Sequence, residues 1–249
     1  MQTASSTTID RETLRERPKG WPVLHMRWEK LLFLHWRWDA ADLQKRLPPG
    51  LTIDTFQGEA WLGVVPFFMS RVHPTGLLAV PWLSDFLELN VRTYVTDRRG
   101  QPGVWFFSLA CNQPIAVELA RRTFGLNYVH ATMSAPIDDS GWCHYHSQRK
   151  GTTASQIDYR TAFSGEPAPA DSLEHFLVER YVLYSRSPAG HLLSGRVHHP
   201  AYQITPAEVR TCDFSAALAD GFADPGRAPA YAHTSLDQAV EAWPVERVD

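Results

Sequence analysis

The sequence predicts a mainly β domain with a few short α-helices, arranged as an antiparallel barrel or sandwich. Three observations carry that expectation. Apolar runs of strand length recur along the chain, turn residues bound them, and no strand–helix–strand rhythm runs through it. A length of 249 residues fits one large β domain. Residues 1–20 are polar and are expected to form a flexible tail or a peripheral helix, leaving residues 21–249 as a single domain.

In chain order, Trp28–Trp38 is too apolar and aromatic for a surface helix and reads as a buried strand. Asp39 caps a short helix over Ala40–Leu47, which Pro48-Pro49-Gly50 ends. Leu51–Phe56 and Glu59–Met69 read as strands joined by the turn dipeptide Gln57-Gly58. Pro74–Pro81 is a loop, Phe86–Val95 a strand, Asp97–Gly103 a polar turn and Val104–Ala110 another buried strand. Asn112 followed by Gln113-Pro114 signals a helix start with Asn112 as the cap, and Gly125 is its natural stop. Strands follow at Tyr128–Ala135, Trp142–Arg149 and Ser155–Tyr159. Asp171 or Ser172 opens a short helix to Val178, with extended stretches at Arg180–Ser185, Leu192–His199 and Tyr202–Thr211.

With 44% hydrophobic and 12% aromatic residues, the chain can bury a sizeable core. Its 24 basic and 27 acidic residues are mixed, which lacks the basic footprint of a nucleic-acid binder. No apolar run reaches membrane-spanning length and no signal-peptide core opens the chain, so no membrane partner is expected. Three scattered cysteines, Cys111, Cys143 and Cys212, argue against a disulfide framework and for a cytoplasmic location. Only four residues are lysines: Lys19, Lys30, Lys45 and Lys150.

The strand Phe86–Val95 carries the most informative pattern. Alternation places Glu88, Asn90, Arg92 and Tyr94 on one face, opposite Leu87, Leu89, Val91, Thr93 and Val95. That face either meets water, as in an ordinary half-exposed strand, or points into a cavity where acid, amide and guanidinium satisfy one another. A second row, Tyr145, Ser147 and Arg149, stands opposite His144, His146 and Gln148. Two imidazoles sharing a face can hold a metal, but no carboxylate is near in sequence and Cys143 points the other way; no metal site is assigned. Glu179-Arg180-Tyr181 reads as a structural ion pair or as a ligand-orienting group. His198-His199-Pro200 offers a strand-end imidazole, and His35, inside an apolar strand, needs a partner. There is no nucleophile elbow, P-loop or dinucleotide fingerprint, so no cofactor is expected, and Cys111 reads as a packed thiol.

A set of motifs carries a family resemblance: FLHW (33–36), LPPGL (47–51), DTFQGEAWLGVVPF (54–67), FLELNVRTYV (86–95), PGVWFFSL (102–109), Y-x-S-x-R (145–149) and LEHFLVERYVLY (173–184). In this order, and joined by AR-x-x-F-x-L-x-Y over 120–128, they resemble the YqjF-like family of uncharacterised bacterial proteins, the domain of unknown function 2071. The resemblance spans about Trp28 to Trp243. It implies an acetoacetate decarboxylase-like fold: a double-layered, cone-like antiparallel β barrel around a pocket, with peripheral helices. It also implies that the polar face of Phe86–Val95 is interior. Where the decarboxylase carries its lysine pair, this chain resembles it only in the surroundings and has Phe124 and Gly125. Schiff-base chemistry needs that amine, so the resemblance does not extend to the decarboxylase's mechanism. Arg27 resembles an arginine lining the decarboxylase pocket, with a spacing that differs by two residues.

The expected function is binding of a small carboxylate- or carbonyl-bearing ligand, with non-Schiff-base lyase, hydratase or isomerase chemistry open. Glu88, Arg92 and Arg149 are the candidate catalytic residues; Arg27, His35, Asn90, Tyr94, Tyr145, Glu179, Arg180 and His198 are the candidate ligand contacts. A non-enzymatic metabolite-binding module and a filled structural barrel are the alternatives. Whether the chain forms a homo-oligomer is left open.

Overall fold

The computed structural model describes residues 13–248. The first twelve residues of the expected tail lie outside that range. Thr13–Arg15 is a 3-10 turn, and the Arg17 guanidinium donates to both carboxylate oxygens of Glu241, at 2.6 and 3.0 Å.

Two strands, β1 (Leu24–Glu29) and β2 (Leu32–Trp38), stand where one was expected over Trp28–Trp38. Lys30, at φ 53, breaks the run. Helix α1 (Ala40–Lys45) follows, with the Asp39 carboxylate accepting from the Asp42 amide as its cap. β3 (Leu51–Ile53) is shorter than expected, because Phe56 and Glu59 instead bridge across Gln57-Gly58, both at positive φ. β4 (Ala60–Pro74) is fifteen residues long: β2 pairs with Ala60–Val64 and β1 with Phe68–Pro74. One long strand therefore bridges the Lys30 break, which local pattern does not reveal.

β5 (Phe86–Asp97) and β6 (Pro102–Cys111) form a hairpin, and α2 (Pro114–Phe124) follows. Its cap is Gln113, whose side chain accepts from the Ile115 amide, and not Asn112, whose amide oxygen accepts from the Leu87 N–H. Gly125 ends the helix in the left-handed conformation, at φ 63. Then come β7 (Tyr128–Ser134), β8 (Trp142–Arg149), β9 (Ser155–Arg160), the short β10 (Glu166–Pro167), and α3 (Leu173–Val178) capped by Ser172. β11 (Val182–Arg186) and β12 (Leu192–His198) form another hairpin. The stretch expected over Tyr202–Thr211 divides into β13 (Gln203–Pro206) and β14 (Val209–Cys212). The chain ends with α4 (Ser215–Leu218), β15 (Tyr231–Ser235), β16 (Gln238–Ala242) and β17 (Glu246–Arg247).

Strand pairings close a ring in the order β4, β5, β6, β11, β12, β16, β1 and back to β4. All contacts in the ring are antiparallel except β6 with β11, which is parallel over two residues, Val104↔Leu183 and Trp105↔Tyr184. Beyond that contact, β6 turns its edge to β7, also in parallel, and β7, β8, β9 and β14 continue as a second layer. A barrel wall backed by an outer sheet results. It has no helix long and apolar enough to cross a membrane among the described residues.

The two layers explain why β5 is buried on both faces. Its outward residues Leu87, Leu89 and Val91 join Leu62 and Val64 of β4 and Tyr145, Ile157 and Tyr159 of the outer sheet in one apolar core. A second core lies inside the barrel, where Phe33, Trp61, Val65 and Phe67 meet Phe176, Leu177 and Val178 of α3. Each large apolar side chain so buried contributes about 2 kcal/mol of transfer free energy, so both layers hold the register of β5.

Candidate functional site

Inside the ring, a cavity of about 190 Å³ is lined mainly by apolar residues, among them Trp28, Val65, Phe67 and Leu109. Ala116, Ala120 and Phe124 of α2, spaced four residues apart on one helix face, cover one side of it. Into this apolar space β5 projects Glu88, Asn90 and Arg92, each no more than 8% exposed. Arg180, Tyr128 and Tyr202 complete its polar lining. The alternation of β5 thus carries a polar row through the inner wall of the barrel.

Each member of the row is in a different state. Glu88 Oε2 accepts a hydrogen bond from the Tyr128 hydroxyl at 2.7 Å. Burial raises its carboxyl from 4.5 to about 7, opposed in part by that bond and by the Asn90 amide. The group therefore exchanges its proton near neutrality, as an acid–base catalyst must. Asn90 Oδ1 is buried with no hydrogen-bond partner. Arg92 donates to Leu177 O at 3.2 Å and to the Tyr94 hydroxyl at 3.4 Å, and its guanidinium lies 5.4 Å from the Phe33 ring centre. Both of those acceptors are neutral, and Arg92 Nε has no partner. No carboxylate pairs with Arg92 among the described residues, so its charge is buried without a counter-ion. Arg180, by contrast, donates to Asp54 at 2.9 Å and to Phe176 O at 2.8 Å, a buried ion pair that fixes the base of α3.

The other expected site residues divide by position. Tyr94 and His35 are buried next to the row: the Tyr94 hydroxyl donates to Leu177 O at 2.8 Å and lies 2.7 Å from His35 Nε2. Desolvation pushes the His35 imidazole well below its ordinary value, with Arg92 adding to the effect, so it is neutral. These two residues support Arg92 and do not line the cavity. Tyr145 lies behind β5, its hydroxyl donating to Glu88 O at 2.7 Å, and so fixes the strand from the outer layer. Glu179 accepts from the Tyr202 amide at 2.9 Å and from the Tyr181 hydroxyl, a buried brace between the end of α3 and the segment that leads into β13.

Arg149, Arg27 and His198 are away from the cavity. Arg149 donates to Asp220 and to Ser108 Oγ in the outer layer. Arg27 faces outward and pairs with Glu29 at 3.4 Å, because Met26 and Trp28 take the inward positions of β1. His198 is half-exposed, 3.8 Å from Glu241. Cys143 packs in the inter-layer core, and His144 lies between Asp158 and Asp138 at 3.0 and 3.4 Å. Sequence reasoning missed Tyr128 and Tyr202. Tyr128 stands directly after the Gly125-Leu126-Asn127 turn, but its partner Glu88 is forty residues away.

Phe124 lines the cavity where the resemblance sets a lysine, and none of the chain's four lysines reaches it. Gly125 cannot carry one: a Cβ there would stand 2.6 Å from Arg186 O, at a φ that L residues resist. The site therefore has a buried carboxyl, amide and guanidinium, and no lysine among its lining residues.

Comparison with known proteins agrees with this architecture. The uncharacterized protein YqjF of Bacillus subtilis (strain 168) is 33% identical over 232 residues, 92% of this chain and 94% of that protein. Two solved structures are similar in fold. The enduracididine biosynthesis enzyme MppR, complexed with pyruvate, superposes with a TM-score of 0.65 at 13% identity, over 92% of this chain and 91% of that one. Acetoacetate decarboxylase from Legionella pneumophila gives 0.62 at 12% identity, over 100% and 98%. The profile of the DUF2071 family, described as an uncharacterized conserved protein, matches residues 25–239, and with YqjF at this identity the chain belongs to that family.

Proposed function

We propose that the cavity binds a small organic monocarboxylate carrying a second oxygen function, and that Glu88 exchanges a proton with it. The observation that carries this reading is the buried Arg92, which has only neutral partners and an Nε without one, facing a mainly apolar cavity. A ligand carboxylate would supply the missing charge. Asn90 Oδ1, an acceptor with nothing to accept, suits a ligand hydroxyl or enol. Glu88, poised near neutrality, suits protonation of a carbonyl or abstraction of a neighbouring proton. Strand rise separates Glu88 from Arg92 by about 13 Å along β5, with Asn90 midway. The second oxygen function therefore lies several bonds from the carboxylate. Pyruvate in the MppR structure points to oxo acids as the class to probe, and the Glu88–Arg92 spacing favours 4-oxopentanoate over pyruvate within it. The lysine-free cavity favours enolisation, hydration or isomerisation over amine catalysis.

The test compares pyruvate, acetoacetate, 4-oxopentanoate and hexanoate by thermal shift, with proton NMR in D₂O to follow exchange beside the carbonyl. An oxo acid should raise the melting temperature in a concentration-dependent way. Arg92→Met should lose that response, and Glu88→Gln should keep binding but lose exchange. Binding without exchange in the parent protein would favour a carrier over an enzyme. If no acid stabilises the protein and Arg92→Met is simply more stable, the row is a structural network and the proposal fails.

A further inference from the structure

We infer that ligands reach the cavity through a side portal in the barrel wall, between Phe106 and Leu126, from an arginine-lined groove on the outer surface. The inference builds on the cavity's geometry; only its purpose rests on the ligand-binding reading. It starts from a gap in the ring. One edge of β6 pairs with β11 at Val104 and Trp105, and next with β7 from Leu109 onward. Between those contacts, Phe106–Ser108 has no strand beside it on that edge. β6 also bulges there, since Val91 faces Ser108 while Arg92 faces Phe106, leaving Phe107 as the extra residue.

The chain fills this gap with the end of α2 and the turn after it. Ser185 Oγ donates to Phe124 O at 2.6 Å, the Arg186 amide to Gly125 O at 3.2 Å, and Asn127 Nδ2 to Phe107 O. Outside lies a groove of about 600 Å³. Phe106 and Leu126 are the two residues that line both the groove and the inner cavity, so two side chains separate them. Movement of side chains is far cheaper than breaking a strand ladder, and such rotamer changes occur within nanoseconds when not close-packed.

The groove also has a sign. Arg46, Arg121 and Arg186 line it; Arg46 is paired with Asp42 at 3.5 Å, so Arg121 and Arg186 give the groove its sign, and no acidic side chain is among its lining residues. Arg121 and Arg186 each donate Nε to a backbone carbonyl, Tyr128 O and Gly190 O, which orients the guanidinium, and neither pairs with a carboxylate among the described residues. Two of the carbonyls at the end of α2, which would repel an anion, already accept hydrogen bonds: Phe124 O from Ser185 and Gly125 O from Arg186. A groove of one sign over a low-dielectric passage concentrates small anions, and such steering raises association rates by about tenfold or more. The portal thus selects the charge class that Arg92 awaits inside.

A ligand-free assay tests this, so its failure leaves the ligand-binding proposal standing on its own evidence. Val65→Cys places a thiol on the cavity wall. Its labelling is followed by peptide-resolved mass spectrometry with three methanethiosulfonates: anionic sulfonatoethyl, neutral methyl and cationic trimethylammonioethyl. The anionic reagent should react faster than the cationic one, by about tenfold, and Arg121→Gln/Arg186→Gln should remove most of that preference. Phe106→Trp should slow all three reagents severalfold, and Phe106→Ala should speed them. Leu126→Trp provides the same block if Phe106→Trp does not fold. Leu119 of α2 is exposed and also lines the cavity, so it marks the competing route: unchanged rates in the portal variants, with slowing instead by Leu119→Trp, would overturn the portal. No labelling of the introduced thiol in the folded Val65→Cys protein would overturn it too, and a charge preference indifferent to the arginines would remove the steering role.

Discussion

Replacing Glu88 by Gln tests the electrostatics of the cavity without any ligand. In the folded protein, burial raises the Glu88 carboxyl from 4.5 to about 7. The folded state therefore holds its proton more tightly than the unfolded chain, and stability must fall as pH rises between those values. At about 1.4 kcal/mol per decade, the full loss is about 3 kcal/mol, present above pH 7 and absent below pH 4.5. Glu88→Gln cannot ionise, yet its amide oxygen can still accept from Tyr128. The difference in unfolding free energy between variant and parent should be flat below pH 4.5. It should then climb in the variant's favour by about 3 kcal/mol up to pH 7.5 and level off. Taking the difference matters, because burial lowers His35, His199 and His233, which contribute a pH slope of opposite sign in both proteins. Urea unfolding at half-unit pH steps measures it. A difference that stays constant from pH 4.5 to 8 would mean that water solvates the carboxyl in the cavity, and its assignment as a buried acid–base group would fall.

Other expectations follow from the same contacts. Asp54→Asn should cost about 3–5 kcal/mol, since it leaves a buried guanidinium without its counter-charge; equilibrium denaturation reads it. Gly125→Ala should cost about 2 kcal/mol, lowering the melting temperature by roughly 5 °C, because a Cβ at φ 63 meets Arg186 O. Arg149→Met should lose about 2 kcal/mol through its bonds to Asp220 and Ser108. It should leave oxo-acid binding unchanged, and a matching loss of binding would show that Arg149 reaches the site.

Local pattern was enough for the β character, most strand positions and the polar row. Alternation along β5 is a local property, and Glu88, Asn90 and Arg92 share a face in any strand that contains them. The caps Asp39 and Ser172 and the stop at Gly125 were equally local. The absence of a lysine from the cavity followed from Phe124 and Gly125, given the family resemblance. Which polar residues remain unpaired depends instead on contacts between distant segments. Arg180 and Arg92 read alike in sequence, yet Asp54, 126 residues away, neutralises the first, and among the described residues no carboxylate reaches the second. Arg149 looked as eligible as Arg92 until the outer layer placed Asp220 against it. The strands after residue 211 were not legible, because short segments such as Gln238–Ala242 gain their structure from β1 and β12 and not from their own pattern. The closure of the ring, and with it the inward direction of the β5 row, is a long-range property of the same kind.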